Sequence, residues 1–193
     1  MMVFCHRQRC RVRSTASGAY TLIEMLITIV VLGIASALVV PSIGDAGVLR
    51  IQAAVRTLVS DMTFAQTDAL AYQQRRAMIF DEANNSYTIS DVIVSTGGAV
   101  SYEPLYLRDG PGGQYIVDFD TGFDGAKLRK PDFEGDAVLH FDELGAPVAD
   151  GASDTAAGVG TVYIDSDLAT YKISIIPYTG QITVEKVTGL PGG

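Results

Sequence analysis

Residues 22–40 read LIEMLITIVVLGIASALVV, and Glu24 is the only charge among them. Extended to Ile43, the run covers about 22 residues, or roughly 33 Å as a helix, which matches the thickness of a bilayer. Arg7, Arg9, Arg11 and Arg13 precede it and no acid does. That asymmetry predicts an N-terminus held in the cytoplasm and a body on the other side of a single span. The acid inside the run needs a reason, because a carboxylate at the bilayer centre costs roughly 2.5–3.5 kcal/mol. Glu24 lies near the cytoplasmic end, where the cost is lower and a cationic partner is in reach.

Working outward, the segment before the span is basic and the body after it is acidic. The chain has 193 residues and a net charge of -8, and without residues 1–19 it keeps 10 Lys and Arg against 22 Asp and Glu, a net of -12. Such a body excludes a broad electrostatic nucleic-acid surface and suits a soluble exported head. Hydrophobic residues make up 48% and charged residues 19%, which excludes both a disordered chain and one wholly embedded in lipid. Cys5 and Cys10 are the two cysteines, both before the span, and their spacing is poor for zinc. Loss of that leader would leave a head with no disulfide, held by its core alone.

Beyond Pro41, apolar residues recur at Val48, Ile51, Val55, Leu58, Met62, Ala65, Ala69 and Tyr72. The alternating spacings of 3 and 4 draw one stripe along a helix. Arg50, Gln52, Arg56, Ser60, Asp61, Thr67 and Asp68 fall on its other face, and Arg75 and Arg76 read as cations closing its C-terminal end. The expectation is one helix from Tyr20 to Gln74, on the order of 80 Å long, with a bend at Pro41. Its first half, residues 20–43, would span the membrane. Its amphipathic half, 44–76, would pack under a head formed by 77–193.

After residue 76 the period becomes extended. Segments 77–80 and 86–89 flank Asp81–Asn85 as a hairpin. Further strands are expected at 91–95, 114–119, 137–141, 160–165, 170–177 and 181–187, the last two joined through Tyr178-Thr179-Gly180. Gly- and Asp-rich stretches at 96–113, 120–136 and 142–159 read as loops. Helix plus antiparallel strands make an α+β head.

The stretch Ala19-Tyr20-Thr21-Leu22-Ile23-Glu24-Met25-Leu26 resembles the class III signal of type IV pilins and type II secretion pseudopilins. The head resembles the GspH/FimT-type minor pseudopilins over residues 19 to about 90, and again in the hairpin 173–184. The resemblance implies a pilin-like fold and a filament subunit rather than an enzyme. It further implies cutting between Ala19 and Tyr20 by a prepilin peptidase, N-methylation of Tyr20, and an assembly charge at Glu24, fifth in the mature chain. Pro41 falls where the family bends its helix, and Gly33 sits mid-span as in many members. The family usually has Gly before the cut. Ala19 stands here with Gly18 one place earlier, so the bond between Gly18 and Ala19 is the alternative site. The implied partners are the peptidase, other pilins or pseudopilins and the inner membrane, with the head in the periplasm.

Other constellations carry less. Asp118, Asp120 and Asp124 form D-x-D-T-G-F-D-G, like the start of a calcium loop, and some major pseudopilins bind calcium in a loop. The EF-hand spacing is incomplete, since Gly122 is early and no acid stands twelfth. It reads as a solvated turn, and no cofactor is expected. His140 in Val138-Leu139-His140-Phe141 reads as a solvent-facing strand residue with no G-x-S-x-G serine to serve. Asp142 and Glu143 read as turn residues rather than an acid/base pair. Lys127, Arg129 and Lys130 are the head's basic cluster. Some FimT-type pilins take up DNA through basic C-termini, but here the last residues offer only Lys186 beside Glu185, so no nucleic acid is expected. A DNA-uptake pilin of the same fold is one rival reading. Another is an exported β-rich binding domain with an ordinary signal peptide cut at Ala35-Ser36-Ala37.

Overall fold

A computed structural model describes residues 20–39 and 45–190. The chain divides into two compact units, Met1–Ile43 and Gly44–Gly193. In the first, helix α1 runs over Leu22–Val39, 18 residues or about 27 Å. Among the described residues, no helix is long and apolar enough to cross a membrane. The end of the expected span, residues 40–43, lies outside the described residues. So do the leader, Gly18, Ala19, the bend at Pro41 and the continuity of one helix through it.

In the second unit, helix α2 spans Asp45–Tyr72. Its stripe is its buried face: Ile51, Val55, Leu58, Met62, Ala65 and Ala69 are all buried. Two ends of the reading change. Tyr72 is 68% exposed, and the helix stops there instead of at residue 76. Gln73 takes φ 52 and the Gln74 N–H bonds the Ala69 carbonyl at 3.2 Å, a Schellman closure with glutamine in the place glycine usually takes. Arg75 and Arg76 therefore do not cap the helix. The chain has already turned, and Arg76 opens the first strand as a buried residue.

Ten strands follow among the described residues: β1 Arg76–Asp81, β2 Ser86–Val94, β3 Val100–Pro104, β4 Ile116–Asp118, β5 Lys127–Asp132, β6 Val138–Phe141, β7 Pro147–Val148, β8 Gly160–Asp165, β9 Thr170–Ile175 and β10 Ile182–Val187. The first sheet has the order β3-β2-β1-β6-β7, with β4 also on β2, and the second has the order β10-β9-β8-β5. All pairings are antiparallel. The expected hairpin forms with Phe80 opposite Tyr87, and β2 runs straight on through the segment expected as a separate strand. The segment 114–119 shortens to β4, because Phe119 begins a four-residue helix, α3, at Phe119–Gly122.

Three strands lie in stretches expected as loops. β3 and β5 are sheet edges, and β5 reads KLRKPD. Its lysines, its proline and a bulge between Arg129 and Asp132 are what blunts an edge, and they hide the alternation that betrays an inner strand. β7 is two residues long. The α+β head thus stands, with more of it in strands than the sequence suggests.

α2 packs on both sheets, touching β1 and β6 of one and β8 and β9 of the other. One core joins Leu58 and Met62 of the helix to Met78, Ile89, Leu139 and Phe141 of the first sheet and to Leu128, Ile164 and Ile173 of the second. Two turns also close on Gln66 of α2. A Cβ on Gly145 (φ 78) would lie 2.8 Å from the Gln66 carbonyl oxygen, and one on Gly180 (φ 64) would strike its side-chain amide. Both turns need glycine for backbone sign and for space.

Asp61 lies on the supposed solvent face yet is buried. Its carboxylate accepts from the Tyr87 hydroxyl at 2.5 Å and the Tyr115 hydroxyl at 3.0 Å. Burial pushes its pKa up while the two hydrogen bonds pull it down. Burial, then the neighbouring Asp61 charge, pushes the Tyr87 hydroxyl up and the Tyr115 hydroxyl to about 12. Both phenols therefore stay donors. Tyr87→Phe should cost about 1.5–3 kcal/mol, the worth of one hydrogen bond to a charged group. Chemical denaturation should show the lowered midpoint with an unchanged slope.

Candidate functional site

Helix α1 is where the expected assembly residues fall. Thr21 caps it: the Glu24 N–H donates to the Thr21 carbonyl at 3.1 Å and to the Thr21 hydroxyl oxygen at 3.3 Å. Thr21-x-x-Glu24 is thereby the first half of a capping box, with an acid in the first turn where the helix dipole favours one. That local role for Glu24 was legible as a T-x-x-E pattern and escaped the sequence reading. Glu24 is exposed, and none of the ion pairs among the described residues includes it.

From Leu22 to Ile34 the large apolar side chains of α1 lie at its surface. Leu22 is 84% exposed, Ile29 66%, Leu32 64% and Ile34 61%, on all sides of the helix. Its hydroxyls are turned inward, Thr28 donating to the Met25 carbonyl at 2.8 Å and Ser36 to the Leu32 carbonyl at 2.7 Å. Nothing lies within 4 Å of a Cβ placed on Gly33. A helix apolar all round, with its polar groups satisfied internally, is stable only inside an apolar surrounding. Tyr20 precedes it, 75% exposed.

The sequence-derived candidates in the head are each taken up by local partners. The Asp118 carboxylate caps α3 by accepting from the Asp120 N–H at 2.8 Å. Asp120 accepts from Asn85 at 2.7 Å and from Lys127 at 2.6 Å, and these bonds, Lys127 first, lower its pKa. Asp124 pairs with Arg50 at 3.2 Å. Three carboxylates with three different partners do not converge, and among the described residues no group of three His, Cys, Asp or Glu could hold a metal ion. In the basic cluster, Lys127 is held by Asp120, Arg129 pairs with Glu82 at 3.4 Å, and the Lys130 N–H donates to Glu82 at 3.0 Å.

Asp142 is a turn residue as expected, accepting from the Leu144 and Ala146 N–H groups at 2.9 and 2.7 Å. His140 is not where it was expected. It is 4% exposed, and its Nε2 lies 2.8 Å from the Tyr102 hydroxyl. The first sheet's outer face is covered at this point by the loop after β7, which strand alternation alone cannot reveal.

No family model matches this chain, and no curated protein matches it. Two solved structures are similar in fold. One is the type IV minor pilin FimU of Pseudomonas aeruginosa, with a TM-score of 0.48 and 18% identity, covering 70% of this chain and 87% of that one. The other is the minor pseudopilin EpsH from the type 2 secretion system of Vibrio cholerae, with a TM-score of 0.46 and 10% identity, covering 75% of this chain and 99% of that one.

Proposed function

We propose that this protein is a minor pseudopilin-like subunit, anchored by its N-terminal helix in the inner membrane and assembled with other pilins or pseudopilins into a type II secretion or type IV pilus-like filament. The observation that carries the reading is α1, whose large apolar side chains are exposed from Leu22 to Ile34. Such a surface demands lipid before assembly and the helices of neighbouring subunits after it. The apolar run continues in sequence to Val40 and Ile43, which brings its length to that of a bilayer. The arginines before it keep residues 1–19 in the cytoplasm, within reach of a prepilin peptidase. Glu24, the only charge on the helix, is then the group that the methylated amine of Tyr20, its own or a neighbour's, neutralises during packing.

Mass spectrometry of protein extracted from membranes tests this directly. The expected product starts at Tyr20, with one added methyl on its amine. A start at Ala19 would move the cut to the Gly18 bond and make Glu24 sixth. An intact Met1 or a start at Leu38 would overturn the reading in favour of a plain membrane anchor or an exported domain.

A further inference from the structure

His140 and its cover form a polar spot that the filament reading does not use. On the outer face of the first sheet, Ser90, Ala77, His140 and Val148 stand side by side across β2, β1, β6 and β7. The Ser90 hydroxyl and His140 Nδ1 are buried with no hydrogen-bond partner. His140 Nε2 meets the Tyr102 hydroxyl from β3. Over this row lies the loop 149–157, tied at its ends by Ala149 N–H to Thr155 carbonyl at 2.9 Å and Ala157 N–H to Pro147 carbonyl at 3.0 Å. Gly151 is its point of closest approach, because a Cβ there would lie 2.8 Å from Val100, 3.0 Å from Val92 and 3.3 Å from the imidazole. Arg75 holds the loop from the side, donating to the Gly151 carbonyl at 3.3 Å, to the Ser153 carbonyl at 2.8 Å and to Asp154.

We propose that loop 149–157 is an acid-released latch: closed over His140 while the imidazole is neutral, and opened when it takes up a proton. In the closed form a proton on Nδ1 has no acceptor, and a cation there has lost its water. The charged groups around it are Asp136 before β6, Asp150 in the loop itself and Arg75 before β1. The two acids favour the cation and Arg75 opposes it, but burial outweighs them and sets the imidazole below its ordinary 6.5. Arg75 is thus both the loop's tether and a like charge facing the protonated ring. A base whose folded pKa is lowered stabilises the closed form above the open-state pKa and loses that stability as pH falls below it. Opening uncovers Val92, Val100 and Val148 beside the ring, an apolar strip that only an acidic compartment would present.

The test is hydrogen exchange of the full chain in detergent at pH 7.5 and 5.0, corrected for intrinsic rates. Protection of 149–157 and of β3 is expected to fall at pH 5.0, by up to about thirtyfold for a group with an ordinary pKa when open. Core strands β8 and β9 should not change. In His140→Gln, whose amide still reaches Tyr102 but carries no titrating charge, the fall should vanish. Equal protection at both pH values, or the same fall in His140→Gln, overturns the latch. Should that variant not fold, the imidazole can be titrated by NMR in a His6→Asn background, which leaves a single histidine. A loop-opening midpoint that follows the His140 titration supports the latch, and one that does not overturns it.

Discussion

Replacing Glu24 by Gln is expected to leave the chain inserted, cleaved and methylated, yet to lower its incorporation into filaments by roughly two orders of magnitude. The choice of Gln rather than Ala matters because Glu24 stands in the first turn of α1 as well as being the proposed assembly charge, and a deletion would confuse the two. It stands third in the first turn of α1, where the Thr21 cap is made to its backbone N–H, and Gln serves that position as well as Glu. What Gln lacks is the charge. If Glu24 is needed only to start the helix, Glu24→Gln assembles normally and Glu24→Ala nearly so, since the Thr21 cap is made to a backbone N–H that alanine keeps. If the charge meets the Tyr20 amine, both variants fail alike. The amine is left unneutralised among apolar helices, at a cost of several kcal/mol. Crosslinking or co-purification of the variant with its filament partners, beside the mature mass, reads both steps. Normal incorporation of Glu24→Gln would end the pairing idea while leaving the fold and the processing untouched.

In the head, Arg76→Ala should destabilise by about 3 kcal/mol, whereas Arg75→Ala should cost about 1–2 kcal/mol. The two arginines are neighbours and both ion-paired, and burial separates them. The Arg76 side chain is 4% exposed and bridges Asp68 at 2.6 Å and Asp91 at 2.5 Å, themselves 13% and 38% exposed. Removing it strands one nearly buried carboxylate and one partly wet one, which places the loss at the low end of the 3–5 kcal/mol expected for a buried pair. The partners of Arg75 are far wetter, Glu143 at 47% and Asp154 at 84% exposed. Its loss therefore forfeits mainly the bonds to the Gly151 and Ser153 carbonyls. Thermal or denaturant unfolding of the two variants beside the parent decides this, and equal losses would mean that burial is not what governs the pair. Set against a total stability of 5–15 kcal/mol for an ordinary domain, the Arg76 change is a large one.

The same two residues show where sequence reading stops. The stripe from Ile51 to Ala69 was legible, because a period of 3.6 is written in the spacing itself. The helix end was not. Chain reversal at Gln73 uses a left-handed backbone that glutamine seldom adopts, so nothing in Gln73-Gln74-Arg75-Arg76 announces it. Asp61 reads as a wet-face residue for a related reason. Its angular place on α2 is polar, but Tyr87 and Tyr115 arrive from 26 and 54 residues away to enclose it. β5 escaped because edge strands carry charges and proline by design against aggregation, which blurs their period.

Sequence alone determined whatever depends on near neighbours: the apolar run and its one acid, the helical stripe beneath the head, the hairpin at 77–89, the strand at 160–165, and the strands expected at 170–177 and 181–187, which form as Thr170–Ile175 and Ile182–Val187. These follow from periodicity and turn chemistry, which operate over a few residues. Only the tertiary structure decided which polar groups are dry. Arg76 between two acids, Asp61 under two tyrosines and His140 beneath the loop after β7 all read as surface residues, since a residue's own alternation says which way it points but not what covers it. Burial is a property of the element that arrives on top, often many tens of residues later in the chain, and so it is settled by packing rather than by local pattern.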